Sequence, residues 1–293
     1  MSTGDGASNL TMLGLGIDLV LLFLVAVVAG ALGALLGLGG GVIIVPTLTL
    51  FLGVDIHEAI GASLVSVVAT SSGAAARFFF QRTHLVNLRI ALFLELGAAA
   101  GALIGALAAS FLAGRILFGL FAIVLFYSAI ATWRSRHRAV ISPTPLSSPL
   151  VRRLRLQGQY YDVILGRVVA YHAARVGIGL ALMLGAGLAS GLLGIGSGIL
   201  KVPAMDSAMA LPLKVSSATS NFMIGMTAAA SAGLYFSHGE VNPLLAGPLA
   251  IGVLVGASFG GTLLHHVPET IVRHMFVVVL IVVAAQMAVK AFS

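Results

Sequence analysis

Apolar residues run in ten stretches along this chain, at about 15–37, 41–53, 59–80, 88–112, 115–133, 177–196, 198–211, 215–237, 243–265 and 270–291. Several hold about 20 residues without a charge, the length a helix needs to cross roughly 30 Å of hydrocarbon. The pattern predicts an all-α polytopic membrane protein: five segments, an interruption, then five more. The interruption, 134–158, carries Pro143, Pro145, Pro149 and several serines and reads as a solvated linker. It separates a first repeat, 1–133, from a second, 159–293. Residues 159–176 hold Arg167, His172 and Arg175 and are too polar to span. They read as an interfacial segment or a short structured lead-in to the second half.

Composition agrees with the pattern. The chain is 59% hydrophobic and 9% charged, too few charges to surface a soluble protein of 293 residues. The first 18 residues lack the basic stretch of a cleaved signal peptide, so the first span is expected to remain in the mature protein. With no cysteine, disulfides, thiolate metal sites and cysteine nucleophiles are excluded. The net charge of +7 is concentrated in the linker, where Arg134, Arg136, Arg138, Arg152, Arg153 and Arg155 crowd together. In a membrane protein such a cluster marks the cytoplasmic face and contacts anionic lipid, rather than nucleic acid. The expected setting is a bacterial-type inner membrane, with the linker cytoplasmic and both termini outside.

The two halves repeat each other. GALGALLGLGGGVIIVP at 30–46 matches GLASGLLGIGSGILKVP at 187–203, so Gly37, Gly39, Gly41 and Pro46 correspond to Gly194, Gly196, Gly198 and Pro203. The match continues through Ser63 with Ser220 and Phe79 with Phe236, then, after a two-residue gap, through Asn87 with Asn242, Gly97 with Gly252 and Phe121 with Phe276. Arginines 77, 82 and 89 surround the first asparagine, whereas the loop of the second, SHGEVNP, has only Glu240. Equivalent loops of opposite charge character belong on opposite faces, which predicts inverted repeats. If 41–53 and 198–211 instead re-enter, each half crosses four times and the repeats are parallel. Thirteen helical residues rise only about 20 Å. Each short segment is therefore read as part of a helix broken at its glycine knot and resumed before Pro46 or Pro203.

GLGGGVIIVP at 37–46 and GIGSGILKVP at 194–203, together with AIGASL at 59–64 and SATSNF at 217–222, resemble the sulfite exporter TauE/SafE family of membrane permeases. The resemblance spans nearly the whole chain outside the linker. It implies movement of small sulfur oxyanions, sulfite or organosulfonates. Two departures stand out: Ala62-Ser63 faces Thr219-Ser220, and Gly40 faces Ser197, which makes the half-sites chemically unequal.

A sulfonate needs hydrogen-bond donors and a positive field. Backbone at Gly39, Gly40, Gly41 and Val42, and at Gly196, Ser197, Gly198 and Ile199, can supply N–H groups at resumed helix ends. The structural alternative is close helix packing, the preferred reading for Gly30, Gly97, Gly101 and Gly105. Lys201 stands where the first copy has Ile44, either to meet an anion or to snorkel to the interface. Ser63, Thr219, Ser220 and Asn221 are candidate neutral donors or, equally, helix-bonded hydroxyls and amides. Glu95 can carry a coupling proton or pair with Arg89; Asp206 can pair with Lys201 or couple in its own right. Arg77, Arg82 and Arg89 form a basic mouth or simply set topology. His265 and His266 lack a third metal ligand, and neither a phosphate loop nor a catalytic triad is present. The sequence thus calls for no cofactor and no enzyme. It predicts a secondary exporter working by alternating access. A transporter or channel for a carboxylate or metal cation, or a non-transporting assembly subunit, remains open.

Overall fold

A computed structural model describes residues 5–80, 85–134, 151, 153–154, 156–162, 165–263 and 266–292; for 5–19, 75–80 and 269 only the backbone is described. In the first half α1 (Asp5–Leu36) is followed by the short α2 (Gly41–Pro46), which widens into one π-type turn, Thr47–Phe51. Then come α3 (Ile56–Phe80), α4 (Leu88–Ala109) and α5 (Gly114–Arg134). The second half repeats the order: α6 (Val176–Leu193), α7 (Gly198–Pro203) with its π-type turn Ala204–Ala208, α8 (Leu213–Ser237), α9 (Pro243–Leu263) and α10 (Glu269–Phe292).

The expectation of a purely α-helical chain is corrected between the halves. Strands β1 (Gln157–Asp162) and β2 (Arg167–His172) form an antiparallel hairpin, with Tyr160 opposite Val169 and Gly158 opposite Tyr171. Alternation explains it, because Leu156, Tyr160, Val169 and Tyr171 are buried while Tyr161 and Val168 face out. The hairpin begins within the stretch expected to be linker. It is anchored at both ends: Asn87 donates through Nδ2 to the Gln157 carbonyl and the Tyr171 hydroxyl, and Lys214 Nζ lies 3.4 Å from both carboxylate oxygens of Asp162. Burial raises the Tyr171 phenol above its ordinary pKa, and the bond from Asn87 offsets part of that.

Among the described residues, five helices are long and apolar enough to cross a membrane: α4, α5, α6, α9 and α10. α3 and α8 are not among them, although they form the centre of the bundle. On α8 the side chains of Ser216, Ser217, Thr219, Ser220, Asn221, Thr227 and Ser231 are all buried. A helix shielded by its neighbours can carry hydroxyls that a lipid-facing helix would expose at a cost. α3 and α8 run antiparallel: Gly61, near the start of α3, meets the backbone at Glu240, and Ser71 Oγ donates to the Asn221 carbonyl. α5 and α10 are also antiparallel, with Arg273 donating to the Thr132 carbonyl at 3.3 Å and Trp133 edge-on to His274.

The outer helices pair in a second pattern. Gly252, Gly256 and Gly260 of α9 lie against Phe23, Val27 and Ala31 of α1, and Gly97, Gly101 and Gly105 of α4 against Leu180, Leu184 and Leu188 of α6. A Cβ at any of these glycines would press on the neighbouring backbone, so the small residues let the helices touch. Repeat-matched asparagines start α4 and α9: Asn87 Oδ1 accepts from the Ile90 amide and Asn242 Oδ1 from that of Leu244.

Candidate functional site

The knots are where the chain leaves helical geometry. Gly37, Gly39 and Gly40 have φ of 74°, 79° and 77°, and Gly194 and Gly196 have 67° and 73°. The second knot ends on Ser197 at φ 61°, a conformation costly for a residue with a Cβ, and its hydroxyl donates 2.6 Å to the Gly196 carbonyl. After Leu36 the backbone turns back, so that Gly40 lies beside Ala29 and Thr70. α2 then leads to the start of α3 instead of carrying on along α1. Pro46 and Pro203 both lie inside their short helices, and the π-type turns follow them directly. Proline removes the amide that would close an α turn, which accommodates the wider winding.

The two knots cross each other. A Cβ on Gly41 would stand 2.7 Å from the Gly194 carbonyl and 2.8 Å from Ser63 Oγ, while one on Gly198 would strike the Gly37 carbonyl. Ser63 Oγ donates to the Gly194 carbonyl at 2.9 Å, and Ser220 Oγ to that of Gly37 at 3.2 Å. Matched serines therefore make matched bonds, each to the opposite knot. Gly39 and Gly196 both face Val67 and Ile224, which sit midway along α3 and α8. The crossing thus lies at half the length of the central helices. Val42 and Ile199 are fully buried beside it.

Lys201 has no exposed surface and does not snorkel. Its Nζ lies 3.0 Å from Glu95 Oε2 and donates to Thr227 Oγ1, and Thr227 Oγ1 donates to Glu95 Oε1 at 2.5 Å. Two pairings that the sequence allowed are not the ones formed. Glu95 is buried against Lys201, not against Arg89, which is exposed at the start of α4. Asp206 pairs with Arg273 at 3.1 Å, not with Lys201.

The neutral candidates divide. Thr219 Oγ1 accepts from the Asn87 amide at 3.2 Å, tying α8 to the α4 cap rather than facing the crossing. Asn221 donates to the Ala34 carbonyl at 2.6 Å, and its Oδ1 has no partner among the described residues, nor do the hydroxyls of Ser216 and Ser217. Ser217 adjoins Gly37. Arg77 lies on α3 with only its backbone described, and Arg82 and His265 fall outside the described residues. Sequence reasoning missed Thr227 and Arg273. Thr227 matches Thr70 at the repeat offset, and Arg273 is a charge inside an apolar stretch, so both left a signal.

No solved structure matches the chain. It is 28% identical over 284 residues to the Bacillus subtilis (strain 168) protein named probable membrane transporter protein YunE, covering 92% of this chain and 96% of that one. To YdhB of the same organism, also named a probable membrane transporter protein, it is 27% identical over 260 residues, covering 87% and 92%. Residues 22–287, carrying both knots and both central helices, match the family described as sulfite exporter TauE/SafE, and the chain belongs to that family of membrane transporters.

Proposed function

We propose that this protein is a secondary transporter that exports small sulfur oxyanions, sulfite or an organosulfonate, by alternating access around the crossed knots. The observation that carries the reading is Lys201, a fully buried cation three residues beyond a knot that faces the midpoints of both central helices. A charge at membrane depth costs free energy and is retained where it acts on a substrate or ion. The hydroxyl of Ser217, beside the first knot and without a partner among the described residues, is a neutral donor of the kind such an anion needs. Export is assigned because the arginines collect at the linker end, where a basic surface gathers cytoplasmic anion.

The repeats are read as inverted. In support, the equivalent helices α3 and α8 run antiparallel, as do α5 and α10. The equivalent caps also sit at opposite ends, Asn87 under the hairpin and Asn242 on Glu58 at 2.6 Å. With the arginine-rich linker cytoplasmic, α3, α4 and α5 cross while α1 and α2 enter and return, which puts both termini outside in an inner membrane.

Flux into proteoliposomes tests the substrate. Sulfite or isethionate should move in wild type, and Lys201→Met should abolish the movement while the protein stays folded. Carboxylate or metal flux without sulfur-anion flux would sink the proposal.

A further inference from the structure

Lys201 is not a free cation. Glu95 neutralises it, and the charged groups nearby are engaged elsewhere. On α7 and its π-type turn, Asp206 is held by Arg273. On α8, Lys214 is held by Asp162, and the Tyr235 hydroxyl donates to the Gly191 carbonyl at 3.0 Å. On α4, Arg89 is six residues away and exposed, and α6 contains no ionisable side chain. An anion that takes Lys201 leaves Glu95 as a buried carboxylate without a counter-charge, and that state is strongly unfavourable unless Glu95 gains a proton.

We infer that Glu95 is the coupling group: it takes up one proton as the anion replaces it on Lys201, so each monovalent anion moves with one proton. This rests on the anion-transport reading above. The closed Lys201–Glu95 pair is the empty carrier, with no net charge. Anion plus proton restores the same neutrality in the loaded carrier. Thr227 touches both groups; its hydroxyl donates to the carboxylate in the empty state and can accept from the carboxylic acid in the loaded one. The cycle is electroneutral. The membrane potential does not drive it, and export runs on the outward anion gradient against any acidic exterior. The first half has Ile44 at the position of Lys201 and Ala250 stands at that of Glu95, so one coupled site serves both repeats.

Isethionate is the probe, because its sulfonate stays ionised between pH 5.5 and 8 and any pH dependence belongs to the protein. Calorimetry of the purified wild type in buffers of different ionisation enthalpy should show one proton taken up per isethionate bound. Affinity should fall about tenfold per pH unit on the alkaline side, as reciprocal linkage requires. Glu95→Gln should bind with no proton uptake and a flat pH profile, and in liposomes its flux should ignore a pH gradient that accelerates wild type. Should the variant not fold, the wild-type titration decides alone. Binding without proton uptake, or uptake replaced by a sodium requirement, overturns the coupling and leaves anion transport standing. No binding of isethionate or sulfite at any pH overturns both.

Discussion

Lys201 and Ile44 occupy the same place in the two copies, yet the lysine is held only because Glu95, 106 residues earlier, and Thr227, 26 later, reach it. A buried pair is far weaker evidence of stability than of what its loss would cost. Lys201→Met alone should lower stability by about 3–5 kcal/mol, because it strands a buried carboxylate. Combining it with Glu95→Leu should recover most of that loss, and thermal unfolding in detergent measures the difference. If both variants melt alike, the pair is not coupled. Ser63 and Ser220 offer a milder comparison: alanine at either strands one knot carbonyl and should cost about 1–3 kcal/mol.

The crossing of the knots is a property of elements in contact, not of single residues. Gly41→Ala would set a methyl 2.7 Å from the Gly194 carbonyl, which is backbone and cannot swing away, and 2.8 Å from Ser63 Oγ. Overpacking of that kind should cost about 1–3 kcal/mol and slow flux, read from melting and transport together. A larger loss from Gly119→Ala, where a Cβ meets open space, would contradict this. The hairpin makes a second element-scale claim. Since burial raises the Tyr171 pKa, its docking contribution is fully present below the ordinary value of 10.0 and lost as pH rises through the raised one. Proteolysis within 151–175 should therefore quicken in strongly alkaline solution in wild type, and Tyr171→Phe should remove that step.

At the scale of the molecule, the contacts have the symmetry of an exchange between halves. Gly41 meets Gly194 as Gly198 meets Gly37, and the serine bonds do the same. With the repeats inverted, a cysteine placed at Arg153 and one at His238, both exposed positions in a chain that has no cysteine, should label from opposite sides of the membrane. Labelling from the same side would mean a parallel arrangement. Asymmetry enters through the hairpin and the Lys201–Glu95 pair, to which each half gives one charge with no repeat-matched counterpart in the other.

What the sequence determined by itself is whatever composition and repetition encode locally: membrane character, the helical segments, family membership, the duplication, and a break in the backbone at the glycine knots. Each follows from residue types at short range, since a glycine in a knot and an apolar run of about 20 residues have the same physical meaning wherever they fold. Only the tertiary structure decided who meets whom. Glu95 turned to Lys201 rather than Arg89 because packing of α4 against α6 and α8 brings the remote lysine closer than the local arginine. α3 and α8 read as spans like the others and became the interior pair, because burial depends on the neighbours that surround a helix. The polar stretch after the linker became a hairpin held at its two ends by Asn87 and Lys214, far off in the chain. Partners separated by 52 to 106 residues, as these are, leave no periodic trace along a chain, and they are set when the bundle closes.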